Sequence, residues 1–332
     1  MSGVERTPVV EPVETKPAAI VPFGARLAAA MDAHGPLCVG IDPHASLLRA
    51  WGLPDDVGGL REFSLRVVDA LGGKVAAFKP QSAFFERHGS RGIAVLEEVI
   101  AAARASGSGS TGSSGTGSGG TGTLTIVDAK RGDIGSTMGA YAEAFLADGS
   151  PLAGDALTVS PYLGFGSLDP AVELAAATGR GLFVLCLTSN KEGFEVQHAV
   201  QRTGSGYGTG ADGEAGGGHD GVSVAALMAA RAAVLNAGAE PMGSVGLVVG
   251  ATIGDAVAAT GTDLVAVNGP LLAPGVGAQG AGERELARTF GAARRNVLAS
   301  SSRAVLGAGP DPDALVSAAR AAAKEATEAL RN

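Results

Sequence analysis

The sequence predicts an α/β protein built as a closed (β/α)8, or TIM, barrel. Short β-branched runs alternate with longer alanine-rich stretches, eight of each, which is the pattern of a parallel sheet with crossover helices. Polar and charged residues gather at the C-terminal ends of those runs, where barrel chemistry is built. No G-x-G-x-x-G follows the first run, which weakens the competing open, doubly wound sheet. At 332 residues the chain has room for one barrel of about 250 residues with additions.

In chain order the predicted strands are Leu37–Asp42, Val75–Lys79, Leu124–Asp128, Ala156–Ser160, Leu182–Leu187, Val245–Val249, Leu264–Val267 and Val297–Ser300. Predicted helices lie near 57–71, 83–105, 135–147, 168–178, 222–237, 254–260, 283–293 and 311–330. Residues 1–20 carry Glu5, Glu11, Glu14 and several prolines without an apolar run, so they read as a disordered tail rather than a signal peptide. The barrel then occupies 21–332 as a single domain.

Two glycine-rich insertions break the rhythm. Residues 106–123 consist of Ser, Gly and Thr and precede the third strand, on the helix-to-strand face away from any active site. The other, 203–218, follows the fifth strand on the catalytic face, where a lid and a plain filler are equally consistent with it.

A net charge of −8 argues against a nucleic-acid or membrane partner held by bulk attraction. An anionic substrate must instead meet a few placed cations. The apolar stretch Val222–Leu235 is interrupted by Arg231 and is too short to span a bilayer. Cys38 and Cys186, each inside an apolar run, read as reduced buried thiols of a cytoplasmic protein. The five histidines form no i, i+4 pair, and Asp42-Pro43-His44 reads as loop packing, so no metal site is predicted.

The chemistry concentrates in Asp128-Ala129-Lys130-Arg131-Gly132-Asp133-Ile134-Gly135-Ser136-Thr137. Alternation along a strand sends Asp128 and Lys130 to one face, with Asp133 just beyond on a turn opened by Gly132. Lysine is the useful cation here, because an ammonium can give up a proton whereas a guanidinium holds its charge. A surface salt-bridge cluster is the plain alternative. The Ile-Gly-Ser-Thr that follows and a second lysine at a strand end, Lys79, favour a site. Other strand ends supply Asp42, Ser160-Pro161, Thr188-Ser189-Asn190, Asn268-Gly269 and Ser302-Arg303. Pro274-Gly275-Val276-Gly277-Ala278-Gln279-Gly280 after strand seven and Arg303 after strand eight occupy the customary phosphate-binding corner of this fold.

These segments, with Val39-Gly40-Ile41-Asp42-Pro43 and Phe78-Lys79-Pro80, resemble the orotidine 5′-phosphate decarboxylase family in its longer-chain branch, over residues 22–325 and in the same order. Lys191-Glu192 departs from the Pro-Gly of many relatives. The resemblance implies a homodimeric barrel that converts orotidine 5′-monophosphate to uridine 5′-monophosphate and CO2 with no cofactor. It implies that Lys79, Asp128, Lys130 and Asp133 form a charge network, with Asp133 and Thr137 reaching the neighbouring subunit's site. It assigns Asp42 and Lys79 to the ribose hydroxyls, Ser189 to the pyrimidine edge, and Gln279 and Arg303 to the phosphate. Two other functions compete: a magnesium-dependent sugar-phosphate lyase or aldolase of the same superfamily, and a catalytically silent nucleotide-binding barrel.

Overall fold

The structure, a computed structural model, describes residues 20–107, 122–201, 221–276 and 280–331. Eight parallel strands close into a barrel: β1 Leu37–Ile41, β2 Ala77–Pro80, β3 Leu124–Arg131, β4 Ala156–Val159, β5 Gly181–Leu187, β6 Val245–Val249, β7 Leu271–Pro274 and β8 Val297–Ser301. Each strand pairs with its sequence neighbours, and β1 closes the ring against β8 through Leu37↔Ala299 and Cys38↔Ser300.

Strand alternation sorts two apolar layers. On β1, Leu37, Val39 and Ile41 face the surrounding helices, whereas Cys38 points into the barrel with Ala77, Ile126, Phe183, Leu272 and Leu298. The N-terminal half of the barrel is therefore filled with apolar side chains, and only the C-terminal half is polar. Both cysteines are free and buried, and burial pushes each thiol up to about 12.

The predicted seventh strand is misplaced. Leu264–Val267 form a turn whose Asp263 carboxylate accepts from the Val265 and Ala266 N–H groups at 3.0 Å each. This side chain supplies the local hydrogen bonds that a ladder would otherwise provide, and Val265 is left exposed. The true strand is Leu271–Pro274, so Asn268-Gly269 lies before a strand and away from the catalytic face. Asn268 adopts φ 43°, a turn conformation that asparagine tolerates.

The predicted 83–105 helix is two, Ser82–Glu86 and Gly89–Gly107, split where Gly89 takes φ 64°. A helix at Phe23–His34, absent from the sequence reading, crosses the N-terminal ends of the strands. Its Gly24 N–H donates to Ser244 Oγ at 3.1 Å, and Arg26 pairs with Asp155 and donates to the Gly179 carbonyl. Phe23 packs edge-on to Phe183 inside the barrel, with ring centroids 5.9 Å apart. A side chain of this kind contributes about 1.5–3 kcal/mol on full burial.

Residues 1–19, 108–121 and 202–220 lie outside the described residues, as does most of what is expected for the tail and for both insertions. The described ends of the first insertion fit its placement. Gly107 ends a helix, and Thr123 anchors the start of β3 by donating to the Val75 carbonyl at 2.8 Å. Among the described residues no helix is long and apolar enough to cross a membrane.

Candidate active site

A cavity of about 710 Å³ opens at the C-terminal end of the barrel, and Asp42, Lys79, Asp128, Lys130, Gly275 and Arg303 are among its lining residues. Four of the predicted groups form a continuous ionic chain within it. Lys79 Nζ donates to Asp128 Oδ2 at 2.8 Å, Lys130 Nζ donates to Asp128 Oδ1 at 2.6 Å, and Asp42 Oδ1 lies 3.9 Å from Lys79 Nζ. Lys79 and Asp128 are buried, whereas the Lys130 side chain is 42% exposed and faces the open cavity.

Burial opposes the charge on Lys79, but Asp128 and then Asp42 outweigh it and hold its pKa above the ordinary lysine value. Burial likewise opposes the charge on Asp128. Lys79 and Lys130 overcome it and keep that carboxyl below the usual carboxylate range. Each buried charge is thus stabilised only by its neighbours, and removing one leaves another uncompensated.

Lys130 reaches this position by a different route from simple strand alternation. It takes φ 47°, a left-handed conformation that is costly for a side chain with a Cβ. The β3–β4 register jumps here, from Val127↔Leu157 to Arg131↔Val159, so three residues of β3 oppose one of β4. The facing residue is Thr158. Its Oγ1 accepts from the Lys130 N–H at 2.9 Å and donates to Asp128 Oδ1 at 2.9 Å. Gly132 then lets β3 approach β4, since a Cβ there would fall 2.3 Å from the Ser160 carbonyl. Arg131 points outward, pairing with Glu86 and lying over the Tyr141 ring at 5.4 Å.

Asp42 is held from the far side of the seam. Ser302 donates to its Oδ2, and Gly40 leaves the necessary room, because a Cβ there would lie 1.9 Å from Ser302 Oγ. Asp42 Oδ1 is buried without a hydrogen-bond donor, which leaves an acceptor ready for a ligand hydroxyl. His44, also at the cavity, stacks edge-on to Phe84 with centroids 4.4 Å apart, in keeping with loop packing. Among the described residues no group of three or more His, Cys, Asp or Glu could hold a metal ion.

The remaining predicted residues fall into three groups. Arg303 and Gly275 lie together on the phosphate-corner side of the cavity, and Gln279 is outside the described residues. Ser189 is exposed and packs beside Gly250 at the end of β6, at the rim rather than in the cavity lining. Asp133 and Thr137 do not line the cavity of their own barrel. The Asp133 carboxylate accepts from the Ile134 N–H at 2.8 Å, and Thr137 is exposed. Around Lys191-Glu192 the loop is stitched shut. Gln197 Oε1 accepts from the Thr188 N–H at 2.9 Å, and Asn190 donates to Glu192 at 3.1 Å. Thr158 is the residue the sequence reading missed, and Ser302, named there only as a strand end, was given no role. Inward alternation along Ala156-Leu157-Thr158-Val159 was the available signal for Thr158.

A closed barrel with an alternating lysine–carboxylate chain at its mouth and an arginine beside a glycine loop defines an enzyme-type barrel for a phosphorylated, anionic substrate. Residues 35–319 match the model of the orotidine 5′-phosphate decarboxylase / HUMPS family, and the chain belongs to that family. It is 57% identical over 298 residues to the orotidine 5′-phosphate decarboxylase of Streptomyces coelicolor, covering 90% of this chain and 94% of that one. The enzyme of the same name from Nocardioides sp. is also 57% identical, over 89% of this chain and 95% of that one. A crystal structure from Streptomyces avermitilis, described under the same enzyme name, superposes with a TM-score of 0.82 at 57% identity, covering 97% of this chain and 100% of that one. Leishmania donovani OMP decarboxylase superposes with a TM-score of 0.65 at 29% identity, covering 94% and 100%.

Proposed function

We propose that the protein decarboxylates orotidine 5′-monophosphate to uridine 5′-monophosphate and CO2 without a cofactor, the last step of de novo pyrimidine nucleotide synthesis. The observation that carries this reading is the Lys79–Asp128–Lys130 chain, with its outer ammonium open to the cavity and its carboxylate held ionised. Breaking the bond from pyrimidine carbon 6 to its carboxylate leaves the electron pair on carbon 6, with no carbonyl placed to absorb it by simple enolisation. The Lys130 ammonium stabilises that charge and then delivers a proton to the same carbon. Unit charges 4 Å apart interact by about 4 kcal/mol at an effective dielectric of 20. That falls short of a whole enzymatic barrier reduction, so orientation and phosphate binding contribute the rest.

In this reading Asp128 sits beside the departing carboxylate and orients Lys130. Asp42 and Lys79 hold the ribose hydroxyls, a role that suits the acceptor left free on Asp42 Oδ1. Ser189 meets the pyrimidine edge, and Gln279 and Arg303 bind the phosphate. Asp133 and Thr137 serve the site of a second copy in a homodimer. Support for that dimer comes from exposed apolar residues on the same rim, Ile134, Tyr162 and Leu163. Two buried free thiols fit a reducing, cytoplasmic setting.

The test is incubation with orotidine 5′-monophosphate in excess EDTA, following absorbance, with Lys130→Ala alongside. Turnover that survives EDTA and disappears in a folded, nucleotide-binding Lys130→Ala chain is the expected result. Activity that depends on magnesium would favour the lyase or aldolase reading. A variant within about tenfold of wild type, only about 1.4 kcal/mol in barrier, would remove Lys130 as proton donor.

A further inference from the structure

We propose that Thr158 is a positioning residue for the reaction: its hydroxyl fixes both the backbone of Lys130 and the carboxylate of Asp128, and so sets where the ammonium points. The inference rests on the decarboxylase reading for its kinetic consequence, though not for its geometry. Three residues of β3 are accommodated opposite one residue of β4, and the ladder breaks between Val127 and Arg131. Lys130 stands inside that break at φ 47°, with its N–H turned to Thr158 Oγ1 at 2.9 Å. Because the Thr158 oxygen accepts there, its only proton is free to go to Asp128 Oδ1, 2.9 Å away.

Asp128 Oδ1 thereby receives two donors, Lys130 Nζ at 2.6 Å and Thr158 Oγ1, while Oδ2 receives Lys79 Nζ at 2.8 Å. Three donors from three directions leave the carboxylate a single rotamer. Thr158 itself is 1% exposed, so water cannot replace it cheaply. Its side chain thus holds two ends of one object, the strained backbone that carries Lys130 and the anion that Lys130 grips. The charged or titratable groups that also bear on Asp128 are Lys79 and Lys130 directly, with Asp42 beyond Lys79 and the Cys38 thiol below it.

The experiment compares the full-length wild type with Thr158→Val, which keeps the shape and removes both hydrogen bonds, and with Thr158→Ser, which restores the hydroxyl. Thr158→Val should lose about tenfold to a hundredfold in kcat, with KM close to wild type. Its acid limb of kcat/KM should move to higher pH, since Asp128 loses a donor that favours its charged form. Thr158→Ser should regain most of the loss. Hydrogen exchange at the Lys130 amide should be faster in the valine variant than in the other two proteins.

A valine variant within about threefold of wild-type kcat, or a serine variant no better than valine, overturns the proposal. If the wild type does not turn over orotidine 5′-monophosphate at all, the decarboxylase reading falls, and amide exchange decides the matter alone. Faster exchange in Thr158→Val then upholds the positioning role, and unchanged exchange rejects it.

Discussion

Ser302 donates a 2.5 Å hydrogen bond to Asp42 although 260 positions separate them in the chain. The contact ties the end of the last strand to the end of the first at the barrel seam. It also sets Arg303 one residue away from a group that touches Asp42, which in turn stands 3.9 Å from Lys79. Arg303 and the charge chain are therefore mechanically adjacent, which, if Arg303 binds the phosphate as proposed, gives that binding a route to Lys79 and Asp128.

Arg303→Ala should lower kcat/KM for orotidine 5′-monophosphate by at least about tenfold, since charge-assisted hydrogen bonds contribute about 1.5–3 kcal/mol. Residual turnover of the nucleoside orotidine should be almost unaffected. Free phosphite added to the nucleoside should accelerate the wild type more than the variant. An equal loss on nucleoside and nucleotide would mean that Arg303 holds the barrel together instead.

Mixing inactive Lys130→Ala and Asp133→Ala chains should restore activity. In the proposed homodimer one hybrid site then receives both intact residues, a prediction consistent with Asp133 and Thr137 being outside the lining of their own cavity. The check is turnover after subunit exchange has been verified with labelled chains. No recovery would confine each site to one subunit.

Replacing the 106–123 insertion with a short Gly-Ser turn that keeps Thr123 should leave kcat and thermal midpoint nearly unchanged. Loop closure costs only about 0.6 kcal/mol per doubling of length, and the segment joins elements on the face opposite the cavity. A large loss of activity would show that it reaches the site or a partner.

Asp128 should make stability depend on acid pH. A carboxyl with a folded pKa below its unfolded value of about 3.9 stabilises above that value and loses the contribution as pH falls through the folded one. Lys79, shifted upward, keeps its contribution below about pH 10 and does not interfere there. The gap in thermal midpoint between wild type and Asp128→Asn should be flat from about pH 8 to 5 and narrow below about pH 4. A gap that persists unchanged through the acid range would mean the asparagine disturbs packing rather than charge.

The ionic chain was legible because charged residues gather at strand ends, although Lys130 joins it through a register break rather than by alternation. Seven of the eight strands were legible because short β-branched runs are local signals. Leu264–Val267 misled for the same reason: a four-residue apolar run carries strand propensity, and only the Asp263 side-chain bonds turn it aside. Phe23–His34 went unread because its partners, Asp155, Gly179 and Ser244, lie far along the chain. Alternation along Ala156-Leu157-Thr158-Val159 could have turned Thr158 inward, but its two bonds to β3 depend on a register break that no single strand reveals.

The helix Phe23–His34 turns the barrel into a vessel with one mouth. Phe23 and Leu27 lie buried beneath Phe183 and the aliphatic layer above them, so among the described residues the N-terminal end of the barrel is closed. Gas, nucleotide and replacement protons must all pass the same rim, so CO2 has to slip out past the bound product or wait for it to leave.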